Sequence, residues 1–94
     1  MGLYSGPSSG IVSRAPREVV LLDRPRRELL ELQAVERRML AAQLDKLAMD
    51  ALPRGVEALE GRHRDHLRLR IGRFRLVYRV DDRVLTVVAL LEDP

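Results

Sequence analysis

Apolar and charged or polar positions alternate with period two from His66 to Val80, interrupted once at Gly72-Arg73. Strict alternation marks a strand with one buried face. A two-residue interruption with glycine first marks a tight hairpin of the II′ kind. Centred on Gly72-Arg73, such a hairpin sets Ile71 opposite Phe74, Leu69 opposite Leu76 and Leu67 opposite Tyr78 on one face. The other face then receives Arg68, Arg70, Arg75 and Arg79, with Arg70 directly across from Arg75. Like charges opposed across a strand pair destabilise it by about 0.2–1 kcal/mol. Concentrating them on one face therefore points to an anion held there.

Outside this hairpin the pattern changes. Val19-Val20-Leu21-Leu22 is a short apolar run flanked by charge, which predicts a first strand buried on both faces. Asp23 is placed to cap a short helix opening on Arg24-Pro25, where proline is tolerated. Leu40, Leu44, Leu47 and Ala51 recur at helical spacing, which predicts a second helix from about Ala34 to Ala51, the two forming an αα-hairpin. Pro53 ends it. Val56 to Asp65 has no period and predicts no element. Val84 to Leu91 is apolar at nearly every position and predicts a third consecutive strand in the interior of the sheet, or one whose edge a partner covers. The order β-α-α-β-β-β predicts an α+β fold: a mostly antiparallel four-stranded sheet, two helices packed on one face, arginines on the other. Residues 1–17, dominated by Gly, Ser and Pro, read as a flexible N-terminal leader before a single domain over residues 18–94.

Composition narrows the function classes. The chain has no cysteine, which excludes disulfides and thiolate metal sites, and its two histidines have no carboxylates at ligand spacing. Neither metal nor cofactor is expected. No apolar run approaches the ~20 residues of a membrane span, and no signal-peptide plan is present, so a cytoplasmic protein without a membrane partner is expected. Net charge is only +3, but Arg62, Arg64, Arg68, Arg70, Arg73, Arg75 and Arg79 face the single Asp65 between residues 62 and 79. A basic cluster in an otherwise balanced chain points to phosphate or an acidic partner.

The phrase from Leu67 to Asp82, LRLRIGRFRLVYRVDD, together with Pro53, Gly55, Leu59 and Gly61 upstream, resembles the RelE/ParE superfamily of toxins over about Glu18 to Leu91. The resemblance implies the toxin of a type II toxin–antitoxin system. RelE-type members cut mRNA on the ribosome and so inhibit translation; ParE-type members share the fold and poison DNA gyrase. It implies as partners a cognate RelB-like antitoxin with an acidic segment, the ribosome and mRNA. By position, Arg68, Arg70 and Arg75 match the basic residues that line the RelE catalytic surface. Arg62, Arg64, His66, Arg73 and Arg79 are the accompanying candidates for RNA binding. The family's later Gly-His/Lys-Arg segment and Tyr have no counterpart, since Leu91 is followed by Glu92-Asp93-Pro94. A catalytically degenerate protein kept for antitoxin binding is thus a third reading, beside the ribonuclease and the gyrase inhibitor.

Metal-free RNA cleavage through the 2′-oxygen needs a base, a group that stabilises charge on the phosphorane, and an acid for the 5′-oxygen. Arginine suits the second task, because its planar fork grips phosphate through paired hydrogen bonds. With a pKa above ~12 it is a poor proton carrier. The groups open to proton transfer are His63 and His66 in the basic stretch, and Glu57 or Glu60 if their segment folds over the sheet. Tyr78 alternates with Phe74 and Leu76 and belongs to the core.

Overall fold

The structure, a computed structural model, describes residues 16–63 and 65–93. The leader expected over residues 1–17 lies, up to residue 15, outside the described residues, as does Arg64. Arg17 is already tied to the domain, its backbone N–H donating to Ala48 O at 2.9 Å and its Nε to Asp81 O at 2.7 Å.

In chain order the elements are β1 (Glu18–Leu21), α1 (Asp23–Leu30), α2 (Ala34–Met49), β2 (Glu57–Ala58), a 3-10 turn (Gly61–His63), β3 (Leu67–Ile71), β4 (Phe74–Val80) and β5 (Val84–Glu92). The strands form one five-stranded sheet in the order β1-β5-β4-β3-β2. β1 runs parallel to β5, and the remaining pairs are antiparallel. The α+β class holds, with one strand more than the four expected. The added strand is β2, whose two residues pair with β3 as Glu57↔Arg68 and Ala58↔Leu67. Two residues are too few to leave a period in the sequence.

The central hairpin has the register that alternation dictates: Ile71↔Phe74, Arg70↔Arg75, Leu69↔Leu76, Arg68↔Val77 and Leu67↔Tyr78. Gly72 opens its turn at φ 61°, a conformation in which a Cβ would be strained. β5 is an interior strand as expected, whereas β1 lies at the edge and is not buried on both faces. Glu18 and Val20 are exposed, and only Val19 and Leu21 turn inward against the core.

A bulge between β4 and β5 decides which residues of the apolar β5 run face inward. Tyr78 pairs with Val87, but the next residue back, Val77, pairs with Ala89, so Val88 is inserted. A one-residue insertion flips every side chain beyond it to the other face. Leu85 and Val87 are therefore buried before the bulge and Leu90 after it. Leu91, paired with Arg75, falls on the arginine face.

The core lies between α2 and the sheet, where Leu40, Leu44 and Leu47 pack with Phe74, Leu76 and Tyr78. Tyr78 is fully buried and its hydroxyl donates to Ala51 O at 2.7 Å, which satisfies both groups and ties the end of the helical layer to β4. Burial, reinforced by the Asp50 charge, pushes its phenol up to about 12. Asp23 is the first residue of α1 rather than its cap: the cap position is Leu22, which makes no side-chain capping bond, and the acid sits in the first turn, where the helix dipole favours it. At the β4–β5 turn the Asp81 carboxylate accepts the N–H groups of Arg83 and Val84, which hold it below the usual carboxylate range.

Candidate active site

The face of the sheet opposite the helices carries the candidate chemistry. Arg68 and Arg70 project from β3 and Arg75 from β4, and the three line one concave cleft of about 360 Å³ together with Gly55 and Glu57. Strand alternation alone places the three guanidinium groups side by side, because residues 68 and 70 share a face and residue 75 pairs with residue 70.

Each cation has a carboxylate beside it. Arg68 donates from Nε and Nη2 to Glu57 Oε1 at 3.0 and 2.9 Å. Arg70 donates from Nη2 to Asp93 Oδ2, and Arg75 Nε lies 3.0 Å from Asp93 Oδ1. One carboxylate thus spans the two opposed arginines, one oxygen on each, and relieves their repulsion. Three cations against two carboxylates leave this group of five side chains with one formal positive charge. That excess matches a single phosphodiester.

The cleft remains open to solvent, and its arginine side chains keep between about one third and two thirds of their surface exposed. It can bind an oxyanion through several planar donors. Among the described residues that line it, Glu57 is the one carboxylate. Among the described residues no group of three or more His, Cys, Asp or Glu is placed to hold a metal ion.

The other candidates lie elsewhere. Arg73, in the hairpin turn, pairs with Glu36 of α2 at 2.6 Å and with Glu92, and its guanidinium lies 4.8 Å from the Phe74 ring centroid. These contacts clamp the turn to the helical layer. Arg79 is exposed on β4 on the cleft's face but does not line it, and Arg62 is exposed on the 3-10 turn. His66 precedes β3 and is half-buried, with Nδ1 shielded from solvent, and it too lies outside the cleft lining. Arg64 and the His63 side chain fall outside the described features.

Sequence reasoning placed the three arginines together and named Glu57 as a candidate base, but it missed the pairing of Glu57 with Arg68 and missed Asp93 altogether. Glu57 stands in a stretch without periodicity, so nothing in the sequence showed that it pairs opposite Arg68. Asp93 reaches the arginine face only because of the Val88 insertion, which the sequence does not announce.

No protein-family model matches the chain, and no curated protein matches it significantly. Solved structures do. The toxin–antitoxin complex RelBE2 of Mycobacterium tuberculosis superposes with a TM-score of 0.74 at 22% identity, covering 85% of this chain and 94% of the other. The archaeal RelE–RelB complex of Pyrococcus horikoshii gives 0.71 at 26% identity, over 82% and 94%. The isolated RelE toxin of E. coli gives 0.70 at 21% identity, over 83% and 85%.

Proposed function

We propose that this chain, which has the RelE/ParE-superfamily toxin fold, is the toxin of a type II toxin–antitoxin system and cuts mRNA on the ribosome. The observation that carries the reading is the convergence of Arg68, Arg70 and Arg75 with Glu57 in one open cleft on the helix-free face. Support for a toxin role comes from structural neighbours described as RelE toxins and their antitoxin complexes. The ribonuclease activity and the role of each residue rest on the chemistry of the cleft.

In this reading the scissile phosphate enters between Arg70 and Arg75. Their guanidinium groups stabilise charge as the 2′-oxygen attacks phosphorus, a contribution strongest in a site already arranged for it. Arg68 holds Glu57 through two hydrogen bonds to one carboxylate oxygen, leaving the other oxygen to accept the 2′-hydroxyl proton. Among the described residues lining the cleft, none offers a ready proton for the leaving 5′-oxygen, since guanidinium groups do not release one at neutral pH. That proton is drawn from solvent or from the ribosome, which also orients the 2′-oxygen for in-line attack. The antitoxin in this scheme silences the toxin through an acidic segment laid over the basic face.

The absence of an acid among the described residues lining the cleft is what favours the second reading, a non-catalytic member that binds gyrase or only an antitoxin. Induced expression separates the readings. The ribonuclease produces growth arrest with transcripts cut within codons, and alanine at all three cleft arginines relieves it. Arrest with DNA-damage signalling and intact transcripts, or arrest undiminished in the triple variant, overturns the assignment.

A further inference from the structure

The residue seated between the two central arginines is part of the chain itself. Asp93 places one carboxylate oxygen on Arg70 and the other on Arg75, the divided grip that a phosphodiester's two free oxygens would make. Its backbone N–H donates to Arg73 O at 2.8 Å, holding the residue against the hairpin turn just beyond β5. The Asp93 side chain is 17% exposed whereas Arg70 is 64% exposed, so the carboxylate is tucked in while the guanidinium remains reachable. Glu92 pairs with Arg73 on the other side of the turn, and Glu57 with Arg68, which leaves Asp93 as the carboxylate on Arg70 and Arg75.

We propose that Asp93 is an internal competitor for the phosphate seat. Resting on the proposed RNA-cleaving site, this adds its regulation: the carboxylate occupies Arg70 and Arg75 together and halves their combined charge in the free protein, and RNA binds by displacing it. No covalent step is involved, only an exchange of one anion for another on the same two cations. A carboxylate tethered beside its cations holds them at high effective concentration, so weak anions do not enter, while a polyanion that also meets Arg68 does. The competitor makes affinity for RNA lower than the arginines alone would provide, and substrate must bring further contacts to open the cleft.

The probe is a short single-stranded oligodeoxynucleotide, which carries phosphodiesters but no 2′-hydroxyl and is not cleaved by 2′-oxygen attack. Its affinity is measured for the full chain, for Asp93→Asn, for Asp93→Ser as a second variant, and for Asp82→Asn. The last removes the same charge at an exposed position in the β4–β5 turn. Thermal melts establish that each variant is folded. Both Asp93 variants are expected to bind about fivefold more tightly than the wild type, a gain on the scale of one partly exposed ion pair. Asp82→Asn is expected to stay near the wild type because the distant charge is screened. The gain disappears when Arg70 and Arg75 are also replaced by alanine. If the Asp93 variants bind no better, or bind more weakly, while alanine at Arg70 and Arg75 weakens binding, Asp93 is a structural brace and the competitor is ruled out with the arginine site intact. If alanine at Arg70 and Arg75 leaves binding unchanged in every background, the arginine site itself is wrong and the competitor with it.

Discussion

The two faces of the β3–β4 hairpin are built from alternate residues of the same strands, and they meet opposite demands. On the helix side Leu69, Ile71, Phe74, Leu76 and Tyr78 are buried and interlocked with α2, and the sole hydroxyl among them finds the Ala51 carbonyl. On the other side Arg68, Arg70 and Arg75 crowd like charges together and lean on carboxylates from β2 and from the end of β5. The first face is arranged for stability. The second holds cations that a purely structural sheet would separate. Residues one step apart in the chain should therefore fail in different ways, folding on one side and chemistry on the other.

The largest effect is expected on the buried face. Phe74→Ala removes a ring that is 1% exposed at the centre of the core and should cost about 3–5 kcal/mol, read as a fall in the denaturant midpoint. Its neighbour Arg75→Ala is the counterpart. Stability should change by no more than about 1 kcal/mol, since the pair it loses is partly exposed. Cleavage of ribosome-bound mRNA should drop about a hundredfold or more, the scale of losing one transition-state donor. An Arg75→Ala variant that unfolds, or one that cleaves normally, would erase the contrast between the faces.

Tyr78 sharpens the comparison at smaller scale. Tyr78→Phe keeps the ring and strands the buried Ala51 carbonyl, for a loss of about 1–3 kcal/mol with the arginine cleft unaltered. The same burial sets a pH dependence. The phenol ionises near 12 in the folded protein against 10.0 ordinarily, so the fold favours the neutral form. The stability this represents is complete below pH 10, declines as the unfolded chain ionises above it, and is gone past the folded value near 12. A spectroscopic phenolate titration in a Tyr4→Phe background should show one late transition. A midpoint near 10 would mean the hydroxyl is not held in the core.

The hairpin was legible because its information is local. Alternation fixes the face, Gly72 fixes the turn, and together they set Arg70 opposite Arg75 with no knowledge of the rest of the chain. The long helix was legible for the same reason, through the spacing of Leu40, Leu44 and Leu47. What escaped depended on contacts distant in sequence. β2 exists only because β3 offers an edge, so Glu57 meets Arg68 without any pattern of its own. β1 reads as doubly buried from its apolar run, yet its position at the edge leaves Val20 exposed. The apolar run of β5 conceals its bulge, since an insertion among Val, Ala and Leu leaves no break in hydrophobicity. Without that insertion Leu90 would face the arginines and Asp93 would not. Asp93 was thus hidden behind one inserted residue, and the pairing of the candidate base Glu57 with Arg68 behind one two-residue strand.

The most direct measurement is the end group left on mRNA by the purified protein acting on programmed ribosomes. On the proposed mechanism, attack by the 2′-oxygen, steadied by Arg70 and Arg75, would leave a 2′,3′-cyclic phosphate on the upstream fragment, and Arg75→Ala should yield almost none of it. Intact mRNA with the wild-type protein, or fragments ending in a free 3′-hydroxyl, would contradict the role assigned to the arginine face.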